Sequence, residues 1–169
     1  YKREYSIYKK NILNLIDKSI SSGFAFFGKN LQTFEKNFVK KYNSNYGVAV
    51  GSGTEALLIS LMAIGIKKGD EVITASNTAI PTISAIVSSG AKPVLVDINV
   101  GDYLINTVKI EKFITKKTKA IIPIHLYGQS ADLEKILVLA KKKNIKVIED
   151  CAQAQGAKYK NKYVGTIGD

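Results

Sequence analysis

The sequence is poor in the residues that cross-link small proteins or bind metals. Its single cysteine, Cys151, cannot form an internal disulfide. Its single histidine, His125, has no cluster of carboxylates around it in the sequence, so no metal site is expected. No apolar run approaches the about 20 residues needed to cross a bilayer, and no hydrophobic signal segment follows the charged start. We therefore expect no membrane partner and a cytoplasmic location.

Arginine is also nearly missing, although the chain is basic. The net charge is +11, yet only Arg3 among the 25 basic residues is an arginine. Arginine is preferred for bidentate contacts to phosphate and guanine. The lysines are scattered, and the small clusters at 116–117 and 141–143 fall at predicted element ends, where lysine complements the helix dipole. We expect no nucleic-acid partner, although the charge could help to attract an anionic substrate.

The apolar pattern predicts a helical start followed by alternating strands and helices. Helical spacing predicts one helix that ends at Gly23 and a second after a turn at Gly28. Short apolar strands separated by helices indicate an α/β fold with a mostly parallel sheet covered on both faces. We predict a helical segment at 1–45 and a sheet-containing domain at 46–169, with a surface hairpin at 159–163. The predicted strands are 47–50, 71–75, 92–96, 120–124 and 146–149, and the helices between them are 54–64, 82–88, 108–114 and 132–142, the last capped by Asp132.

A glycine-rich loop, Gly51-Ser52-Gly53-Thr54, lies between the first predicted strand and its helix. Free N–H groups and a hydroxyl at a helix N-terminus favour an anion such as phosphate. The alternative is a tight turn in which Ser52 or Thr54 is only the N-cap. The loop also approaches the dinucleotide pattern G-x-G-x-x-A, which needs an acid ~20 residues later, at the end of the next strand. Ala75 stands there, so the dinucleotide interpretation is rejected.

A second motif follows the last predicted strand, which delivers Asp150 with Gln153 three residues later. Ligands of such sheets bind beyond the carboxyl ends of the strands, so this acid and the glycine-rich loop could converge. A phosphate site paired with a strand-end aspartate suits a phosphorylated cofactor with a ring nitrogen, and pyridoxal 5′-phosphate (PLP) has both. An aspartate facing the pyridine nitrogen keeps it protonated. Asp150 could instead be a helix cap or metal ligand, and Gln153 a polar helix residue.

Together these motifs resemble the N-terminal part of the PLP-dependent sugar aminotransferases of the DegT–StrS group. The resemblance implies the three-layer αβα large domain of a fold-type I PLP enzyme, truncated at its end, with the C-terminal small domain absent. The 76–78 turn and the 125–128 segment resemble members that aminate 3-keto deoxyhexoses carried on dTDP. The matching segments are 28–35, 51–57, 69–73, 90–94 with Asp97, 124–132, 148–154 and 165–169.

The resemblance also implies roles for individual residues. Gly53 and Thr54 would hold the phosphate, Asp150 would pair with the pyridine nitrogen, and Gln153 would lie beside the ring hydroxyl or phosphate. Ala79 departs from the family, because an aromatic residue usually stacks on the cofactor ring there. Loss of that contact would cost ~0.5–1.5 kcal/mol beyond area burial.

The implied reaction moves an amino group, from glutamate, to a keto-deoxysugar nucleotide in polysaccharide or lipopolysaccharide precursor biosynthesis. The Schiff-base lysine is expected just after Asp169, so the chain alone should be inactive. One alternative is a sugar dehydratase of the same group, which has histidine in place of that lysine. Another is a non-catalytic remnant or regulator, which Ala79 favours and Asp150 opposes.

Three further expectations concern residues outside the cofactor motifs. The full-length protein should be a homodimer with active sites at the subunit interface, and the aromatic segment 24–27 could contribute to that interface. His125 is interpreted as a hydrogen-bonded structural residue rather than an acid–base catalyst. Cys151 is interpreted as a small buried residue.

Overall fold

The computed structural model describes residues 1–24 and 26–169. These residues form two compact units, Tyr1–Ala49 and Val50–Asp169. Ala25 lies outside the described residues, so the aromatic segment 24–27 is described only at its phenylalanines. The helices are α1 (Lys2–Ser21), α2 (Lys29–Tyr42), α3 (Gly53–Ala63), α4 (Ile80–Ser88), α5 (Thr107–Ile110) and α6 (Leu133–Lys143). The strands are β1 (Glu71–Ala75), β2 (Lys92–Val96), β3 (Thr118–Ile122), β4 (Lys146–Val147), β5 (Lys158–Tyr159) and β6 (Lys162–Tyr163).

The first unit consists of the two predicted N-terminal helices. Helix α1 ends just before Gly23, whose φ of 75° is a left-handed conformation that glycine adopts without steric cost. Helix α2 begins after Gly28 and ends just before Asn43, which is also left-handed. Neither helix contains a buried residue. Among the helices in the described part of the chain, none combines the length and apolar character required to cross a membrane.

The predicted strand at 47–50 is wrong. Within the described residues this segment joins no sheet. The N–H of Ala49 donates to Oε1 of Glu35 at 2.9 Å, so a side chain takes the place of a neighbouring strand. Val48 is 81% exposed, as expected for an apolar residue that has no sheet face to pack against. The apolar pattern alone could not show whether a pairing partner exists.

The second unit is built on a parallel sheet of order β2-β1-β3-β4. Strands β1 and β2 have the predicted bounds, whereas β3 begins two residues earlier than predicted, at Thr118. Strand β4 ends at Val147, two residues early, but pairing resumes at a parallel bridge between Ile124 and Asp150. Asp150 therefore lies just beyond the carboxyl end of the sheet.

Both faces of this sheet are covered, which confirms the predicted three-layer architecture. Alternate strand residues face opposite sides, so Ile73 and Ile121 belong to one buried cluster while Val72 and Ile122 belong to the other. Each such buried side chain contributes roughly 1.5–3 kcal/mol of hydrophobic free energy. The first cluster includes Ile110 of α5 and Ile136 and Ala140 of α6, and the second includes Leu57 and Leu61 of α3 and Ala85 and Ile86 of α4.

Three local predictions need correction. Helix α4 begins at Ile80, two residues before the predicted start. The helix predicted at 108–114 is one α-turn, α5, followed by a 3₁₀ turn at Glu111–Phe113. Asp132 precedes α6 but makes no capping hydrogen bond with its side chain. Its carboxylate instead pairs with Lys135 at 2.8 Å and accepts a hydrogen bond from the Tyr159 hydroxyl at 3.0 Å, which ties the predicted β5–β6 hairpin to α6.

Candidate active site

Asp150 is fixed by its backbone at the carboxyl end of the sheet. Its N–H donates to the Pro123 carbonyl and its carbonyl accepts from the N–H of His125, both at 3.0 Å. These two bonds continue the β3–β4 pairing beyond the strands. The sequence predicts Asp150 at a strand end, and the structure confirms that position.

The carboxylate of Asp150 is held at both oxygens. The N–H of Ala152 donates to Oδ1 at 3.1 Å, and the hydroxyl of Thr82 donates to Oδ2 at 3.2 Å. A carboxylate has about four lone-pair sites, so it can still accept a further N–H donor. Thr82 lies on α4, three residues after the N-cap residue Ala79, and no sequence motif indicated it.

The glycine-rich loop forms the capped N-terminus of α3. Ser52 is the N-cap, and its hydroxyl accepts from the N–H of Glu55 at 3.2 Å. The Glu55 carboxylate accepts from the N–H of Gly51 at 2.7 Å. Gly53 and Thr54 occupy the first two helical positions, whose N–H groups have no acceptor within the helix. A Cβ placed on Gly53 would meet no atom of the described residues within 4 Å, so the space beside it is open.

Helix α4 connects this loop to Asp150, because α3 packs against α4 and α4 carries Thr82. Ala79 is the N-cap residue of α4 and is exposed. The side chain of Asn77, in the turn before it, donates to the carbonyl of Tyr103 at 2.9 Å. The start of α4 is therefore anchored on one side, while the position of Ala79 stays accessible.

Gln153 follows Asp150 in an irregular segment rather than in the helix that the alternative interpretation required. Its side-chain carbonyl accepts from the N–H of Tyr127 at 3.0 Å. Tyr127 has a φ of 58°, a left-handed conformation that is unusual for a tyrosine. With its oxygen engaged, the amide NH₂ of Gln153 is the end that can donate to a ligand.

A buried hydrogen-bond network lies directly before Asp150, centred on Glu149. The side chains of His125 and Glu149 are 0% and 2% exposed, and Nε2 of His125 lies 3.1 Å from Oε2 of Glu149. Nδ1 of His125 accepts from the N–H of Ala131 at 3.0 Å, so Nε2 carries the proton and donates to Glu149. The same carboxylate accepts from the N–H groups of Gly165, Ile167 and Gly168 at 2.7–2.9 Å.

The sequence shows no carboxylate cluster beside His125, but the fold brings the carboxylate of Glu149 to it. His125, Glu149 and Cys151 place metal-ligating atoms within 4.8 Å of one another in the described part of the chain. Both nitrogens of His125 and both oxygens of Glu149 are engaged in hydrogen bonds. Burial raises the pKa of the Cys151 thiol to about 12, helped by the charges of Glu149 and Asp150. Hydrogen bonding therefore accounts for the cluster, and His125 has the structural environment that the sequence favoured.

Comparison with known proteins gives a consistent family assignment. A model of the DegT/DnrJ/EryC1/StrS aminotransferase family matches residues 6–169. A dTDP-3-amino-3,6-dideoxy-alpha-D-galactopyranose transaminase of Aneurinibacillus thermoaerophilus is 46% identical over 162 residues, which cover 96% of this chain and 45% of the relative. A pleiotropic regulatory protein of Geobacillus stearothermophilus is 41% identical over 165 residues, which cover 98% of this chain and 44% of the relative.

The fold agrees with this assignment. The crystal structure of ntda from Bacillus subtilis with bound cofactor PMP superposes with a TM-score of 0.87 at 39% identity, covering 91% of this chain and 35% of that protein. The chain thus spans less than half the length of the curated relatives that it matches.

Proposed function

Because the chain belongs to the DegT/DnrJ/EryC1/StrS aminotransferase family, we propose that the full-length protein is a PLP-dependent sugar aminotransferase. It moves an amino group from glutamate to a keto-deoxysugar nucleotide, such as a dTDP-3-keto-hexose, in the synthesis of polysaccharide precursors. The observation that carries this proposal is the Asp150 carboxylate, anchored at both oxygens beyond the carboxyl end of the sheet. Residues 46–169 act as the cofactor-binding large domain, preceded by the helical segment 1–45.

The residues present fit PLP on three points. The N–H groups of Gly53 and Thr54 need an acceptor, and the space beside Gly53 admits one. Asp150 keeps lone pairs for a ring N–H. Gln153 offers an amide NH₂. These are the groups that a phosphate, a pyridinium nitrogen and a phenolic oxygen require.

In the proposed reaction each of these residues binds or orients the cofactor. The helix dipole and free N–H groups at the start of α3 bind the phosphate. Asp150 keeps the ring nitrogen protonated, because an opposite charge at hydrogen-bond distance favours the charged form. PLP, when bound, supplies an electron sink for the carbon that exchanges the amino group. Gln153 donates to the ring hydroxyl, and Ala79 leaves the ring without the aromatic partner common in the family.

The reaction can be tested with the full-length protein, ¹⁵N-labelled glutamate and a dTDP-3-keto-deoxyhexose. We expect the label to appear in the sugar nucleotide by mass spectrometry, with formation of 2-oxoglutarate in equal amount. Loss of water from the sugar without nitrogen incorporation would instead indicate a dehydratase, which the transaminase relative does not favour. No turnover of any keto-sugar nucleotide would contradict the proposal.

A regulatory role is the second candidate, because a relative of 41% identity carries that name. One spectroscopic measurement distinguishes a regulator from the enzyme. A regulator that keeps only the fold should leave the absorption spectrum of added PLP the same as that of free PLP, whereas an enzyme that binds PLP should change it. The intact Asp150 anchor favours the enzyme.

Thr54 provides a direct test of the phosphate site. We expect Thr54→Val to weaken PLP binding to the full-length protein by about tenfold, because a charge-assisted hydrogen bond is lost. Ser60→Ala is the matched control, since Ser60 is a hydroxyl on the same helix, about 9 Å farther along its axis. Absorbance titration with PLP measures the affinity of both variants. Equal affinities for the two variants would remove Thr54 from the site.

The homodimer remains a prediction, supported by the exposed aromatic side chains of the first unit. Phe24, Phe26 and Phe27 are 74%, 82% and 87% exposed, and aromatic residues are enriched in interfaces. We expect light scattering of the full-length protein at micromolar concentration to give twice the chain mass. Phe26→Glu should shift the population towards monomer, whereas Tyr46→Glu, which changes a similarly exposed aromatic residue elsewhere in the unit, should not. A monomeric wild type would contradict the prediction.

A further inference from the structure

The buried hydroxyl of Thr82 has an unusual acceptor. Thr82 is 1% exposed, and a buried hydroxyl needs a hydrogen-bond partner. Threonine in a helix commonly bonds the carbonyl three or four residues earlier on its own helix. Here the hydroxyl reaches instead to Oδ2 of Asp150, 68 residues away in the sequence.

We infer that Thr82 is a positioning residue that fixes the Asp150 carboxylate for the ring nitrogen of PLP. This inference rests on the proposed function and adds to it a residue that no sequence motif indicated. One donor engages each oxygen, Ala152 N–H on Oδ1 and Thr82 hydroxyl on Oδ2, so rotation of the carboxylate would break a hydrogen bond. The remaining lone pairs then have fixed directions, and the two donors stabilise the negative charge that the pyridinium needs.

The two donors are held by different parts of the fold. Ala152 follows Asp150 closely, so its hydrogen bond is local. Thr82 belongs to α4, whose residues Ala85 and Ile86 are buried against the sheet and α3. Packing of α4 therefore sets the position of the hydroxyl. Among the described residues, removing that hydroxyl leaves the Asp150 carboxylate with its local donor only.

The test compares PLP with 1-deaza-PLP, in which a C–H replaces the ring nitrogen. The ratio of the two dissociation constants, measured by absorbance titration of the full-length protein, isolates the contribution of the nitrogen because all other contacts are common to both ligands. We expect the wild type to prefer PLP and Thr82→Val to lower that preference by about tenfold, as expected for one charge-assisted hydrogen bond. Thr82→Ser, which keeps the hydroxyl, should restore the preference.

Thr74 offers a matched control. It is also buried, and its hydroxyl donates to the carbonyl of Ile122 at 2.9 Å, not to Asp150. Thr74→Val and Thr82→Val should both lower the unfolding midpoint, because each removes a buried hydrogen bond, yet Thr74→Val should leave the ligand preference unchanged. Thr82→Ala removes the same hydroxyl with a smaller side chain and should reproduce the valine result.

The outcomes separate the inference from the proposed function. A wild-type protein that binds neither ligand, or binds both equally, would overturn the proposed role of Asp150 and with it the inference. If the wild type prefers PLP and both Thr82→Val and Thr82→Ala keep the full preference, the inference alone is overturned. If Thr74→Val also lowers the preference for PLP, loss of any buried threonine hydroxyl has this effect, and the inference about Thr82 is overturned.

Discussion

Asp150→Asn in the full-length protein should slow amino transfer by about a hundredfold or more, which corresponds to ~2.7 kcal/mol in the activation barrier. The amide has the shape of the carboxylate but not its charge, so it cannot favour the protonated pyridinium. The amide oxygen can still accept one of the two hydrogen bonds that anchor Asp150. We therefore expect the fold and PLP binding to survive while the rate falls, as measured by ¹⁵N transfer from glutamate.

Asp97 gives a control for this substitution. It follows β2 as Asp150 follows the β4 segment, and its carboxylate pairs with Lys109 at 2.7 Å on the surface. Exposed ion pairs contribute about 0–1 kcal/mol, so Asp97→Asn should leave the rate nearly unchanged. If the Asp150 carboxylate only held its own turn by accepting from the N–H of Ala152, its asparagine variant would be equally silent, because the amide oxygen can accept the same hydrogen bond. An active Asp150→Asn variant would thus contradict the central assignment.

Glu149→Ala should destabilise the full-length protein by about 3–5 kcal/mol. The substitution removes the acceptor of four donors: the His125 ring N–H and the N–H groups of Gly165, Ile167 and Gly168. Buried donors without partners each carry a desolvation cost, and a cavity adds to it. Urea unfolding followed by circular dichroism measures the loss. Glu134→Ala is the control, since Glu134 is 61% exposed in its ion pair with Lys160 and should contribute little.

The stabilisation by Glu149 should depend on pH. Burial raises the pKa of Glu149, but the hydrogen bonds from His125 and from the N–H groups of Gly165, Gly168 and Ile167 outweigh it, so the pKa lies below its ordinary value of 4.5. A carboxyl whose pKa is lowered by folding stabilises the protein fully above its unfolded pKa and loses that contribution as the pH falls through the folded value. The difference in unfolding free energy between wild type and Glu149→Gln should therefore be constant near neutral pH and shrink below about pH 4.5. A difference that grows on acidification would contradict this assignment.

The sequence by itself determined the features that depend on neighbouring residues. Short runs rich in apolar residues, each beginning two residues after a glycine, gave the predicted bounds of β1 and β2. The residue that leaves an apolar strand lies at the end of the sheet, so the place of Asp150 followed from the pattern. Ser52 was one of two N-cap candidates because capping involves residues two or three positions apart.

Only the tertiary structure decided which side chains meet. Thr82 reaches Asp150 across 68 residues and His125 reaches Glu149 across 24, and no spacing rule connects either pair. Asp132 pairs with Lys135 and Tyr159 instead of capping its helix. Hydrogen-bond partners are selected by the packing of helices on the sheet, because a buried polar group takes whichever partner the packed core brings within reach. The local sequence pattern therefore predicted the position of the candidate site, whereas the contacts that fix its carboxylates depend on how the helices pack on the sheet.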